Sequence, residues 1–124
     1  MLKECRQALR ITTEAYDGEL CSLMSAGAQD LTIAGVTLPG KVTFAYVEAT
    51  QSTAGYWNDT STLTDPLVIR AILTYVRMNF GSPNDYDQLR TSYGVQKTQL
   101  MHATGYTDYG EETEEADEQD GDGE

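Results

Sequence analysis

The side chains that could do chemistry are few and widely spaced. His102 is the only histidine, so a multi-histidine metal centre is impossible. Near the end of an expected helix, an imidazole suits the negative pole of the dipole. Cys5 and Cys21 stand apart without CxxC spacing, which in a reducing compartment reads as two buried or half-buried thiols. Asp85 with Asp87, and Asp120 with Asp122, are short acidic pairs that lack the flanking ligands of an EF-hand loop. The first pair fits the opening turn of a helix. Asn58, Asp59 and Thr60 match a glycosylation acceptor, but Met1 to Arg10 is charged throughout and has no apolar signal-peptide core. Synthesis in the cytosol is therefore expected, and the acceptor has no meaning there. No glycine loop for phosphate is present. The expectation is a protein with no enzymatic activity, no cofactor and no metal.

What remains is the chemistry of contact. Arg70, Thr74 and Arg77 fall at i, i+4 and i+7, one narrow polar stripe on an otherwise apolar helix. The stripe reads either as a solvated face or as a set of ion pairs to a neighbouring chain. Phe44, Tyr46, Tyr56 and Trp57 crowd a second region, and Tyr106 and Tyr109 lie beyond the last helix. Aromatics on marginal elements are often interface anchors, and packing within the same domain is the alternative.

These groups must be held by elements, and the best marked is DPLVIRAILTYVRMNFGSP, from Asp65 to Pro83. Asp65 is a good N-cap, Pro66 suits the first helical position, and Gly81 can take a left-handed C′ conformation. The helix they frame is about 15 residues, roughly 22 Å long. Being apolar on most sides, it must be covered on most sides. It is too short and too broken by arginine to span a membrane.

Before it, Met1 to Leu9 reads as a short helix with Leu2, Cys5, Ala8 and Leu9 on one face. A second helix is expected from about Glu14 to Leu31, with Tyr16, Leu20, Leu23, Met24, Gly27 and Leu31 as its stripe. Gly18 and Gly27 weaken it or let a neighbour pass closely. Between about Thr32 and Thr64 the period changes. Val42, Phe44 and Tyr46 alternate with Thr43, Ala45 and Val47, and Tyr56 to Leu63 can return. Residues 41–63 thus read as a β-hairpin inserted between the second and third helices. Such a ribbon needs the domain or a neighbouring subunit behind it. After the central helix, Ser82 can cap and Pro83 can open a last helix to about Thr104, roughly 33 Å long, with Tyr86, Leu89, Tyr93, Leu100 and Met101 inward.

The net charge of −12 is unevenly spread. Residues 111–124 hold nine of the 20 acidic residues and none of the eight basic ones. Residues 107–124 are expected to be a disordered acidic tail, and residues 1–106 a helical domain. No basic cluster suggests specific nucleic-acid binding.

The central and last helices carry a family likeness. The DPLV start at Asp65, the YVRMNFG run from Tyr75 to Gly81, the step from Pro83 to Tyr86, and Ser92–Tyr93 resemble the phage head–tail connector proteins, also called adaptor, head-completion or DNA-packaging proteins. LRIT at Leu9 to Thr12 and AGV at Ala34 to Val36 agree, so the likeness covers roughly residues 1–36 and 65–106. The hairpin and the tail lie outside it. The resemblance implies a mostly helical, four-helix protomer without enzymatic activity. It implies a homo-oligomeric ring, usually dodecameric, stacked on the portal protein after DNA packaging. Such a ring joins the head to the tail or a stopper protein, and viral DNA passes through it without sequence-specific binding. The location would be the virion, with the host cytoplasm before assembly. An acidic DNA-mimic inhibitor of a nucleic-acid-binding protein is the alternative, because a polyanion can occupy a basic cleft. A small-molecule or metal-binding module finds no ligand pattern to support it.

Overall fold

Residues 1–103 are described in the structure, a computed structural model. They form α1 (Leu2–Ala8), α2 (Asp17–Ile33), β1 (Phe44–Val47), β2 (Tyr56–Asp59), α3 (Pro66–Asn79) and α4 (Tyr86–His102). The architecture is mainly helical, with a two-stranded antiparallel hairpin between the second and third helices. The acidic tail lies outside the described residues.

α3 begins where its cap dictates. The Asp65 carboxylate accepts from the amides of Leu67 at 2.9 Å and Val68 at 3.2 Å. At the other end Phe80 turns extended and Gly81 takes φ +67, so the left-handed glycine is present but the helix stops at Asn79. Val68, Ala71, Ile72 and Val76 are completely buried. Burying a valine or isoleucine side chain contributes about 1.5–3 kcal/mol relative to exposure, and the single methyl of Ala71 less. α3 is the central element, packed against α2 and α4 along its length and against α1.

α2 starts at Asp17, three residues later than expected. The Thr13 hydroxyl accepts from the Ala15 amide at 3.2 Å, and Asp17 donates to the Glu14 carbonyl at 3.1 Å. This side-chain turn competes with the helix, as threonine commonly does. Tyr16 is consequently outside the helical stripe and half exposed, its ring edge-on to Phe80 at 5.5 Å. The C-terminus is a Schellman motif. Gly35 at φ +99 donates to Thr32, and Val36 donates to Leu31, both at 3.0 Å.

α4 also starts late, at Tyr86 instead of Pro83. Pro83, Asn84 and Asp85 are turn formers, and they make a turn here before the Leu89 amide reaches the Asp85 carbonyl at 2.9 Å. The helix has 17 residues, about 26 Å, and ends at His102. Tyr86 is 43% exposed and does not belong to the inward face. Tyr93 and Leu100 do, in one core with Ile72, Val76, Leu20, Met24 and Leu31.

In the hairpin, Phe44 pairs with Asp59, Ala45 with Asn58, Tyr46 with Trp57 and Val47 with Tyr56. Bonds from Thr60 to Thr43 and from Thr62 to Lys41 carry the pairing down to its base. There Gly40 is obligatory, since a Cβ would lie 2.7 Å from the Leu63 Cα.

Candidate interaction surfaces

The two predicted arginines lie on the exposed side of α3. Thr74 between them is buried and donates its hydroxyl to the Arg70 carbonyl at 2.9 Å, so the stripe is two cations across a gap. Arg77 faces Asp85 of its own chain at 3.9 Å, with both side chains about half exposed. Such a pair contributes little to stability. Arg70 has no ion pair among the described residues.

A third cation joins them that sequence reasoning missed. Arg10 closes α1 at φ +59. Its amide donates to Gln7 at 3.1 Å, and the Ile11 amide donates to Arg6 at 2.9 Å. This is again a Schellman ending, with arginine in the place that glycine favours. Arg10 and Arg77 border one hollow of about 430 Å³ with Phe80 and Asp85. Arg77 and Arg70 border the next, of about 460 Å³, with Ala8, Ile69 and Leu73. The only local signal for this line of cations was the absence of a glycine after Leu9.

The hairpin aromatics divide. Trp57 lies on Gly18 of α2, its indole nitrogen 3.3 Å from where a Cβ would stand, and Phe44 borders the same small hollow. Both are partly buried against the core. Tyr46 meets Trp57 edge-on at 5.3 Å and is 48% exposed. Tyr56 projects from the opposite face and is exposed, beside Val47. Tyr106 and Tyr109 lie outside the described residues. The hollows that the arginines border share no residue with the one under Trp57.

Asp59 on the inner hairpin face fastens the ribbon to α1. Its carboxylate accepts from the Met1 ammonium at 2.5 Å, the Leu2 amide at 3.0 Å and the Ser61 amide at 3.0 Å. Burial alone would raise this carboxyl, but the ammonium and the N–H donors outweigh it and hold it at about 2. Burial likewise opposes the Met1 charge, yet Asp59 and Glu4 raise its pKa above the ordinary 8.0.

Comparison with protein-family models, curated proteins and solved structures finds no match to this chain. Its own side chains must therefore say what it can do.

The remaining polar contacts inside the domain are structural. Arg6 grips the buried Asp17 through two bonds of 2.8 and 2.9 Å, joining α1 to α2. Tyr93 donates to Asp30 at 2.5 Å, and Lys97 reaches the same oxygen at 3.2 Å, joining α4 to α2. Tyr75 of α3 meets the Tyr93 ring at 5.4 Å and fills the space over Gly27. Burial, then Asp30, raises the Tyr93 phenol, so it keeps its proton and is no base. Burial also pushes Cys5 up to about 12 and Cys21 up to about 11, where neither is a nucleophile at neutral pH. Among the described residues, no group of three or more His, Cys, Asp or Glu is placed to hold a metal ion. None of their helices is long and apolar enough to cross a membrane.

Proposed function

We propose that this chain is a structural virion protein of the head–tail connector kind. Its copies close into a ring on a portal vertex and join the head to the tail or a stopper. The observation that supports the reading is a set of exposed contact side chains at different places on the chain: the cations Arg10, Arg70 and Arg77 about α3, and Tyr46 and Tyr56 on the two faces of the hairpin. A closed ring uses two different patches on every subunit, one meeting the other on the next copy. Arginine and tyrosine are the side chains that such contacts favour. The likeness of the α3–α4 region to the connector family agrees with this use. The DNA-mimic alternative finds less support. Residues 1–103 carry ten acidic and eight basic residues, so their net charge is only −2 and offers no polyanionic folded face.

The test is native mass of the purified full chain by sedimentation, alone and mixed with a portal. A ring-sized particle, near twelve copies, is the expected result. A monomer under both conditions would overturn the proposal.

A further inference from the structure

We infer that the hairpin of one copy seats in the groove between α3 and α4 of the next, with Glu48 on Arg70 and the pair Val47 and Tyr56 on Leu67 and Val95. This contact rests on the ring reading above and names the surfaces that meet in it. The groove has a volume of about 910 Å³, with Leu67, Arg70, Val95, Gln96 and Leu100 among its walls. Leu67 and Val95 are 58% and 53% exposed, an apolar surface with no cover among the described residues. The side-chain oxygen of Gln96 is buried with no hydrogen-bond partner among those residues, a cost that an incoming donor relieves. Arg70 is exposed and has no ion pair among them, so it calls for a carboxylate. Only six residues, Phe80 to Asp85, join α3 to α4, so the two run antiparallel and Arg70 lies toward the Leu100 end. Asp87 is also in the wall, but it stands about 20 Å from Leu100 along α4, which leaves the Arg70 end to attract an anion.

The hairpin carries the matching groups on a face that its own domain leaves open. Its inner side is held, since Trp57 lies on α2 and Asp59 is fastened to α1. On the outer side Val47 stands across from Tyr56, and both are exposed. Together they offer apolar area for Leu67 and Val95, and the Tyr56 hydroxyl is a donor for Gln96. Glu48 follows just beyond the end of β1, exposed and with no ion pair among the described residues. Residues 42–69 contain no lysine, arginine or histidine, so nothing on the ribbon repels Arg70. The exposed carboxylates of Glu14 and Glu19 lack such apolar company. Tyr16 beside Glu14 already packs on Phe80, and the exposed side of α2 after Glu19 is Ser22, Ala26 and Gln29. Groove and hairpin share no residue, so each copy gives one and takes the other, the head-to-tail contact that closes a ring.

The test is a charge swap read by sedimentation of the full chain. Glu48→Arg and Arg70→Glu should each weaken assembly about tenfold or more, and the two together should restore most of it. Both side chains are exposed, so the urea melts of all three variants should match the wild type. In a second measurement, chains with Tyr56→Cys are mixed with chains carrying Leu67→Cys and oxidised. A disulfide between copies is expected at those positions, since buried Cys5 and Cys21 react slowly. Assembly unchanged in both single variants, a double variant no better than either single, or assembled particles without that cross-link would overturn the inference and leave the ring reading standing. So would loss of portal binding with self-association intact, because the portal would then fill the groove. A wild-type chain that stays monomeric, alone and with a portal, would overturn both.

Discussion

Two residues show how chemistry is placed in this chain. Arg10 occupies a left-handed position at φ +59, where a non-glycine residue costs about 1–2 kcal/mol. That strain sets a third cation beside Arg77. Arg10→Gly should therefore leave denaturant stability unchanged or raise it by up to about 1 kcal/mol, while ring formation falls. A large loss of stability would mean that Arg10 belongs to the fold and not to a contact. Asp59 is the opposite case, a carboxylate spent on the fold. Its pKa falls from 3.8 to about 2, so its contribution is complete above pH 3.8 and is lost as pH drops through 2. The Met1 ammonium is raised, so its share is complete below 8.0 and is lost as pH rises through the higher folded value. The clasp thus operates between about pH 4 and pH 8. Asp59→Asn should cost about 1–2 kcal/mol at pH 6, allowing for the part of the side chain that faces water, and should flatten the acid limb of a stability–pH curve. An unchanged acid limb would assign it to other carboxylates.

At the scale of elements, α3 organises the packing. Ile72 is completely buried in the core that also holds Tyr93, and Ile72→Ala should cost about 2–5 kcal/mol in urea melts. A cost below about 1 kcal/mol would contradict its place in the core. Gly40→Ala should open the hairpin base, because Leu63 backbone atoms stand within 2.8 Å of the added carbon and cannot rotate away. About 1–3 kcal/mol is expected, with loss of exchange protection at Thr60 and Thr62. The start of α3 was legible in the sequence because capping is local: Asp65 and Pro66 announce it within two residues. The hairpin was legible from its period of two. The starts of α2 and α4 were not, since Thr13 and the Pro83–Asp85 turn compete with helix by equally local bonds. The links Arg6–Asp17, Met1–Asp59 and Asp30–Tyr93 span 11, 58 and 63 residues and leave no periodic trace. Of the candidate surface, sequence reasoning found the exposed cations Arg70 and Arg77. For the hairpin aromatics it left interface and packing within the domain open, and Phe44 and Trp57 take the second course in part.

On the scale of the whole molecule, charge and assembly are coupled. Arg70→Glu and Arg77→Glu change exposed side chains and should leave the monomer folded while reducing ring formation in sedimentation. An unchanged particle mass with both substitutions would remove the arginines from the contact. Nine of the chain's 20 acidic residues follow Gly110. In a ring they would repel one another, less so as the Debye length shrinks from about 30 Å at 0.01 M to about 8 Å at 0.15 M salt. Deleting residues 111–124 should leave thermal stability nearly unchanged and move ring formation to lower salt. Loss of folding would make those residues structural, and identical salt curves would deny them a role in assembly.

The Met1–Asp59 clasp also has a consequence in time. α3 and α4 are joined by six residues, from Phe80 to Asp85, so their contacts close short loops, and such pairs form early. The clasp closes a loop of 58 residues for a single cluster of bonds, and that entropy must be met after most of the core exists. Asp59→Asn should accordingly speed unfolding and leave the refolding rate almost untouched. On that ordering, a newly made chain would acquire its helical core first and lock its ribbon in place last.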